Sequence, residues 1–219
     1  CIRDRLCAGK KDIVIISSDH TRPVPSRVTM PILLHHIHSA APEARVRILV
    51  ATGMHRPSTH EELVNKYGEE IVANEEIVMH VATDDSMMKK IGTLPSGGEC
   101  IINKIAADCD LLLAEGFIEP HFFAGFSGSR KSVLPGIASY KTIMYNHNGQ
   151  FVNDSHSRAG NLCHNHVSED MFAAAEMAHL AFVLNVVLNG KHEVIGSFAG
   201  DIHKAHEAGC EFVTVSYTH

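Results

Sequence analysis

The strongest pattern along the chain is a series of short, unbroken apolar runs, bounded by turn formers and separated by stretches of helical spacing. Residues 12–17 (DIVIIS) and 46–51 (VRILVA) read as strands buried on both faces, because their apolar positions run on without alternation. Residues 76–82 and 110–114 predict a third and a fourth strand. Helices are expected over 27–39, with Ser26 as N-cap, and after Ser58 or Thr59, where Glu61 and Glu62 fall in the first turn. A short helix is predicted over 101–107, behind the turn Ser96-Gly97-Gly98. The Gly- and Phe-rich loop 115–129 follows the fourth strand. Helical stretches over 131–139 and 140–148 are broken at Pro135-Gly136, and 148–165 is polar and turn-rich. The remainder predicts a helix over 169–179, strands 182–188 and 193–198 joined as a hairpin across Asn189-Gly190, a helix over 201–208 and a strand over 212–215. Together these give an α/β fold, a Rossmann-like and mostly parallel sheet flanked by helices, with a C-terminal hairpin and helix extension.

Composition narrows the class. With 219 residues, 45% of them hydrophobic and 20% charged, the chain suits one large globular α/β domain. A formal net charge of −6 with no basic block argues against nucleic acid as a partner. No apolar run is long enough to cross a bilayer and no signal peptide opens the chain, so no membrane association is expected. Six scattered cysteines without a C-x-x-C suit a reducing cytoplasm. Seventeen histidines against 19 Lys plus Arg point toward metal or proton chemistry. The chain opens at Cys1 and stops at His219, which reads as a piece of a longer polypeptide.

Three of the four predicted buried strands end in loops with ionisable residues: Asp19-His20-Thr21-Arg22, His55-Arg56, and Glu119-Pro120-His121. In open α/β sheets ligands bind outside the carboxyl ends of strands, so these loops are expected to converge. Taken singly, each could be a solvated or capping group. The stretch Gly125-Phe126-Ser127-Gly128-Ser129-Arg130-Lys131-Ser132 nearly fits a phosphate-binding loop, but Arg130 stands where the second glycine is required, which counts against an NTPase. A Gly-rich turn opening into a helix can still offer N–H groups to an anion; the alternative is a tight turn with Arg130 and Lys131 exposed. His147 lies near the end of a predicted helix. Cys163-His164-Asn165-His166 lacks structural zinc spacing and reads as a surface loop.

In order and spacing, SSDHTRPVPSR (17–27), ATGMHRPS (51–58), EPHFFAGFSGSRKSVLPGIAS (119–139), MYNH (144–147) and the later AGD…AH..GC stretch (199–210) resemble the nickel-dependent lactate racemase family. The resemblance implies that residues 1–219 are the N-terminal, cofactor-carrying domain, clipped at both ends and without its C-terminal domain. It implies a racemase or epimerase of a 2-hydroxy acid, lactate or a relative, working with a nickel-pincer nucleotide. By resemblance Lys131 holds that cofactor covalently, and His147 is similar to the remaining nickel ligand. His55 and His121 look like the two acid/base histidines. Arg22 resembles the arginine at the substrate carboxylate, and Asp19 belongs to the same motif in a supporting role. Thr21 and the turn Ser127, Gly128 and Ser129 are expected to help hold the nucleotide phosphate. Dedicated cofactor-maturation proteins are the implied partners. Ser129 stands where the family has a second glycine, and 165–171 departs from the family's N-P-x-H-E-D run at two places.

The chemistry suits these residue types. The α-hydrogen of a 2-hydroxy acid is too weakly acidic to leave easily as a proton. Leaving as hydride, with a histidine taking the hydroxyl proton, gives a planar keto acid that either face can recapture. Arginine offers a planar fork for a carboxylate. Two other readings stand beside this one: a metal hydrolase built from His55, His121 and His147, and a binding module for a nucleotide or metal that has lost turnover.

Overall fold

The computed structural model describes residues 2–217. Helix α1 (Ile2–Cys7) leads into β1 (Asp12–Ser18), α2 (Ser26–Ala40), β2 (Arg45–Ala51), α3 (His60–Tyr67), α4 (Glu69–Asn74) and β3 (Glu76–Met79). Next come β4 (Met88–Thr93), β5 (Glu99–Asn103), α5 (Lys104–Asp108) and β6 (Leu111–Phe117). The loop beyond carries a two-residue ladder, β7 (Pro120–His121) with β8 (Gly125–Phe126), and a 3₁₀ turn at Ser129–Ser132. Then follow α6 (Tyr140–Asn146), α7 (Gly149–Val152), α8 (His166–Met177), β9 (Leu180–Leu188), β10 (Val194–Gly200) and α9 (Lys204–Tyr217).

The main sheet has the order β10-β9-β6-β1-β2-β3, parallel throughout except for the edge hairpin β9–β10. Counting its parallel strands along the chain gives 3-2-1-4-5, the Rossmann order. The direction of growth reverses between β1 and β6, so the ligand crevice is expected at their carboxyl ends. The unbroken apolar runs are explained by cover on both faces. Ile13 and Ile15 of β1 pack with Met30, Leu34 and Tyr67 on one side, whereas Val14 and Ile16 join Val133, Ile137 and Met171 on the other. Each such isoleucine contributes roughly 1.5–3 kcal/mol by leaving water, and that burial fixes the strand ends from which the site is built.

Several local expectations are corrected. The predicted helix over 101–107 is half strand: Cys100 and Ile102 are buried in β5, which pairs with β4, and the helix starts only where Asn103 accepts the Ile105 N–H at 3.0 Å. The stretch 131–139 holds only the 3₁₀ turn before Pro135-Gly136 redirects the chain. The predicted last strand, 212–215, belongs to α9, because His206, Cys210 and Val213 recur on one buried helical face and override the β-branched propensity. Helix α8 begins at His166, three residues early, because Asn165 caps it by accepting from Ser168. Strand β3 ends at Met79 rather than at 82. No helix among the described residues is long and apolar enough to cross a membrane.

Candidate active site

A cavity of about 290 Å³ opens at the carboxyl ends of β1, β2 and β6, lined by Asp19, Arg22, His55, Lys131 and His147 among others. Of the three loops singled out in the sequence, the first two supply lining residues, Asp19, Arg22 and His55, whereas His121 of the third stands outside the lining and meets it through Lys131 at 3.4 Å.

The first wall is anchored by a carboxylate. Asp19 follows β1 directly and is buried; its Oδ1 accepts from the Thr21 N–H at 3.0 Å and the Thr21 hydroxyl at 2.6 Å, an Asx-type turn. Its Oδ2 accepts from Nδ1 of His55 at 2.6 Å. The His55 side chain is 45% exposed, so this single bond sets the ring's orientation. With Nδ1 committed as donor, the lone pair of neutral His55 is left at Nε2, the form of a general base. Arg22, exposed, closes the same turn through its N–H to the Asp19 carbonyl at 3.4 Å.

The opposite wall is apolar and cationic. His121, on β7, accepts the Ala124 N–H at Nδ1 (3.3 Å) and lies 3.4 Å through Nε2 from Nζ of Lys131. Phe122 stacks on it at 4.7 Å and Phe123 meets it edge-on at 4.6 Å; Phe123 also meets His147 edge-on at 5.0 Å. Burial, reinforced by Lys131 and Arg22, pushes His121 down to about 3, and burial brings His147 to about 4, so both are neutral at pH 7. Burial, then the charges of Arg130 and Arg22, lowers the Lys131 ammonium to about 7. His147 sits at the end of α6, its N–H on the Ile143 carbonyl, and its Nδ1 is buried without a hydrogen-bond partner.

The turn before Lys131 is self-contained. Ser127 and Gly128 line the cavity, but the Ser127 hydroxyl donates to the Phe117 carbonyl at 2.9 Å and its N–H to the Glu119 carbonyl at 2.9 Å. Ser129 has φ +46°, a conformation that favours glycine. Its N–H on Asn185 Oδ1 (3.1 Å) and its hydroxyl on the Ile202 carbonyl (2.7 Å) hold it there, fully buried and away from the cavity lining. Thr21 lies outside the lining too, its hydroxyl spent on Asp19. The side chains expected to cradle a phosphate are therefore engaged within the protein. Nor is this a turn with both basic residues exposed, since Arg130 is fully buried.

Other supporting residues gave no signal in the sequence. Asn165, buried inside what read as a surface loop, donates to the Phe123 carbonyl at 2.8 Å while capping α8. Asp170 accepts from Ser96 and from Asn146, the neighbour of His147. Ser168 accepts from Arg130 at 3.2 Å. The first turn of α8 thus touches segments next to His121, Lys131 and His147. The capping residue Asn165 with an acidic residue after it was the only trace available. Among the described residues no three His, Cys, Asp or Glu side chains gather closely enough to hold a metal ion, so the hydrolase reading lacks its ligand set.

Residues 3–160, which include every candidate site residue, match the family described as Lactate racemase N-terminal domain. The chain belongs to the lactate racemase family. It is 69% identical over 210 residues to a lactate racemase of Lactiplantibacillus plantarum, covering 96% of this chain and 50% of that protein. It is 54% identical over 209 residues to the lactate racemase of Thermoanaerobacterium thermosaccharolyticum, covering 95% and 49%. The solved lactate racemase apoprotein from the latter organism superposes with a TM-score of 0.94 over 96% of this chain and 50% of that one. A Thermotoga maritima protein at 22% identity and a TM-score of 0.81 shares the fold. The chain spans about half the length of the lactate racemases it matches.

Proposed function

We propose that this chain is the cofactor-carrying part of a 2-hydroxy-acid racemase, acting on lactate or a close relative with a nickel-pincer nucleotide. The observation that carries the reading is one crevice lined by a carboxylate-oriented histidine, His55, and by the buried amine of Lys131 together with His147, with His121 3.4 Å behind that amine. The residues fit such a group. Lys131 offers a buried amine for covalent attachment, and His147 offers a neutral imidazole whose Nδ1 is buried and unsatisfied. When bound, the cofactor supplies the acceptor that lets the α-hydrogen leave and return as hydride.

The chain's own residues do the rest. Arg22, at the mouth, takes the substrate carboxylate in its fork. His55, held by Asp19, accepts the hydroxyl proton of one enantiomer. His121 serves the other, taking its hydroxyl proton on a ring that is neutral at rest. Each histidine returns the proton from the imidazolium it has formed, so the pair can run the reaction in both directions. Phe122 and Phe123 keep water from the buried wall. Cofactor-assembly proteins are the partners this function requires, and the free thiols suit a reducing cytoplasm.

The test is racemisation of lactate in D₂O by the polypeptide extended to the length of its relatives and loaded with cofactor. Internal hydride return predicts a product that keeps its α-protium. Solvent deuterium at the α-carbon of the product, matching the extent of racemisation, would overturn the hydride reading in favour of proton abstraction.

A further inference from the structure

Arg130 is the largest fully buried side chain among the described residues, and no carboxylate there lies within ion-pair distance of it. Its Nη2 donates to the carbonyls of Ala124 (2.9 Å) and Phe126 (3.1 Å) and to Ser168, and its Nη1 lies 2.5 Å from Nε2 of His206, which also faces the Ser127 carbonyl at 2.9 Å. Phe172 lies under the guanidinium at 4.8 Å, and Nε has no partner. An unneutralised charge inside a protein is costly, and simple packing would be served better by an apolar side chain. The bonds fix the charge one residue from Lys131 and hold the loop that carries His121. Arginine also keeps its charge there: burial lowers it only to about 10.

We propose that Arg130 is a positioning residue for Lys131, its fixed and unneutralised charge adding to burial in leaving Nζ the lone pair that acylation requires. This rests on the reading of Lys131 as the attachment point. In such a step the Nζ lone pair bonds to the acyl carbon, the bond to the leaving group breaks with its electron pair, and the amine releases one proton; nothing is oxidised or reduced. An ammonium has no lone pair to give.

The geometry around Lys131 agrees. The Ala124 N–H claims Nδ1 of His121, so Nε2 of the neutral ring bears hydrogen, and the 3.4 Å approach of Nζ then calls for an acceptor, the amine rather than the ammonium. Of the other charged or titratable groups facing the cavity, Arg22 adds to Arg130, and His147 is neutral. Asp19, bonded to Thr21 and His55, and Glu115, bonded to the hydroxyls of Ser17, Ser26 and Thr29, are not among the groups that act on Lys131.

The test is acetylation of this chain by N-acetoxysuccinimide across pH 5–10, with the rate at each lysine read by peptide-resolved mass spectrometry. Lys131 is expected to show a midpoint near 7, against about 10.4 for lysine in a model peptide. Arg130→Met should raise that midpoint by about one unit or more, and Arg130→Lys, which keeps a charge, should leave it closer to the original. If Arg130→Met fails to fold, His206→Glu sets a carboxylate against the guanidinium while keeping it in place, and should raise the midpoint likewise. A wild-type midpoint near 10, or a folded Arg130→Met or His206→Glu with the wild-type midpoint, overturns the proposal. These rates are read without cofactor, so a reactive Lys131 that never gains the nucleotide would defeat the functional reading and leave this one standing.

Discussion

Two histidines of the same kind stand in opposite surroundings, His55 on the cavity lining and His121 behind Lys131. His55 is exposed and fixed by a buried carboxylate, whereas His121 is half-buried among aromatic rings and cations, with only a backbone N–H on its far nitrogen. The second arrangement opposes an imidazolium, chiefly through burial. The proposed pair of bases is thus unsymmetrical before anything binds. Lys131 is part of that asymmetry, since at the low pH where His121 titrates its ammonium form is among the groups holding that ring down, and converting the amine to an amide would remove that charge.

The comparison breaks most severely if either histidine is replaced. In the extended, loaded enzyme, His55→Gln and His121→Gln are each expected to lower kcat by about 10²–10⁴-fold. A loss confined to one of them would show that a single base serves both enantiomers. Asp19→Asn attacks one wall only: His55 loses its anchor and its counter-charge, and kcat should fall roughly 10–100-fold while cofactor attachment at Lys131 is unchanged. Loss of attachment in that variant would place Asp19 on the cofactor side.

Lys131→Met sharpens the other wall. Removing a neighbouring positive charge makes protonation easier, so the His121 midpoint, followed by NMR, should rise by about one unit. It should stay below the ordinary range, because burial is the larger cause. A further effect is global. His80, His121, His147 and His206 are all pushed by burial to about 3–4 from 6.5. The unfolded chain therefore binds more protons than the native one below about pH 6.5. Stability should decline as pH falls from 6.5 toward 4, measured as the urea midpoint; an increase over that range would contradict the neutral assignments.

Much of this was legible in the sequence for a physical reason. Runs buried on both faces leave no room for polar residues, so β1, β2 and β6 announced themselves, and the strand-end rule then placed Asp19, His55 and His121 together. What stayed hidden depends on long-range burial of polar groups. Asn165 and Asp170 look like loop and surface residues until α8 carries them under the site. Arg130 looked like a failed glycine in a phosphate loop, and nothing local shows that four partners wait for it inside. The end of α9 was misread because Val213-Thr214-Val215 favours a strand locally, while packing of Cys210 and Val213 decides for a helix.

The account's central claim is that Lys131, on the cationic wall, is where the cofactor is held. Its most direct test is peptide-resolved mass spectrometry with nickel analysis on this chain co-produced with cofactor-assembly proteins, beside the version extended to its relatives' length. A mass addition confined to Lys131 and accompanied by nickel, in either version, is the predicted result. An unmodified Lys131 in both, or an addition at another residue, would contradict it.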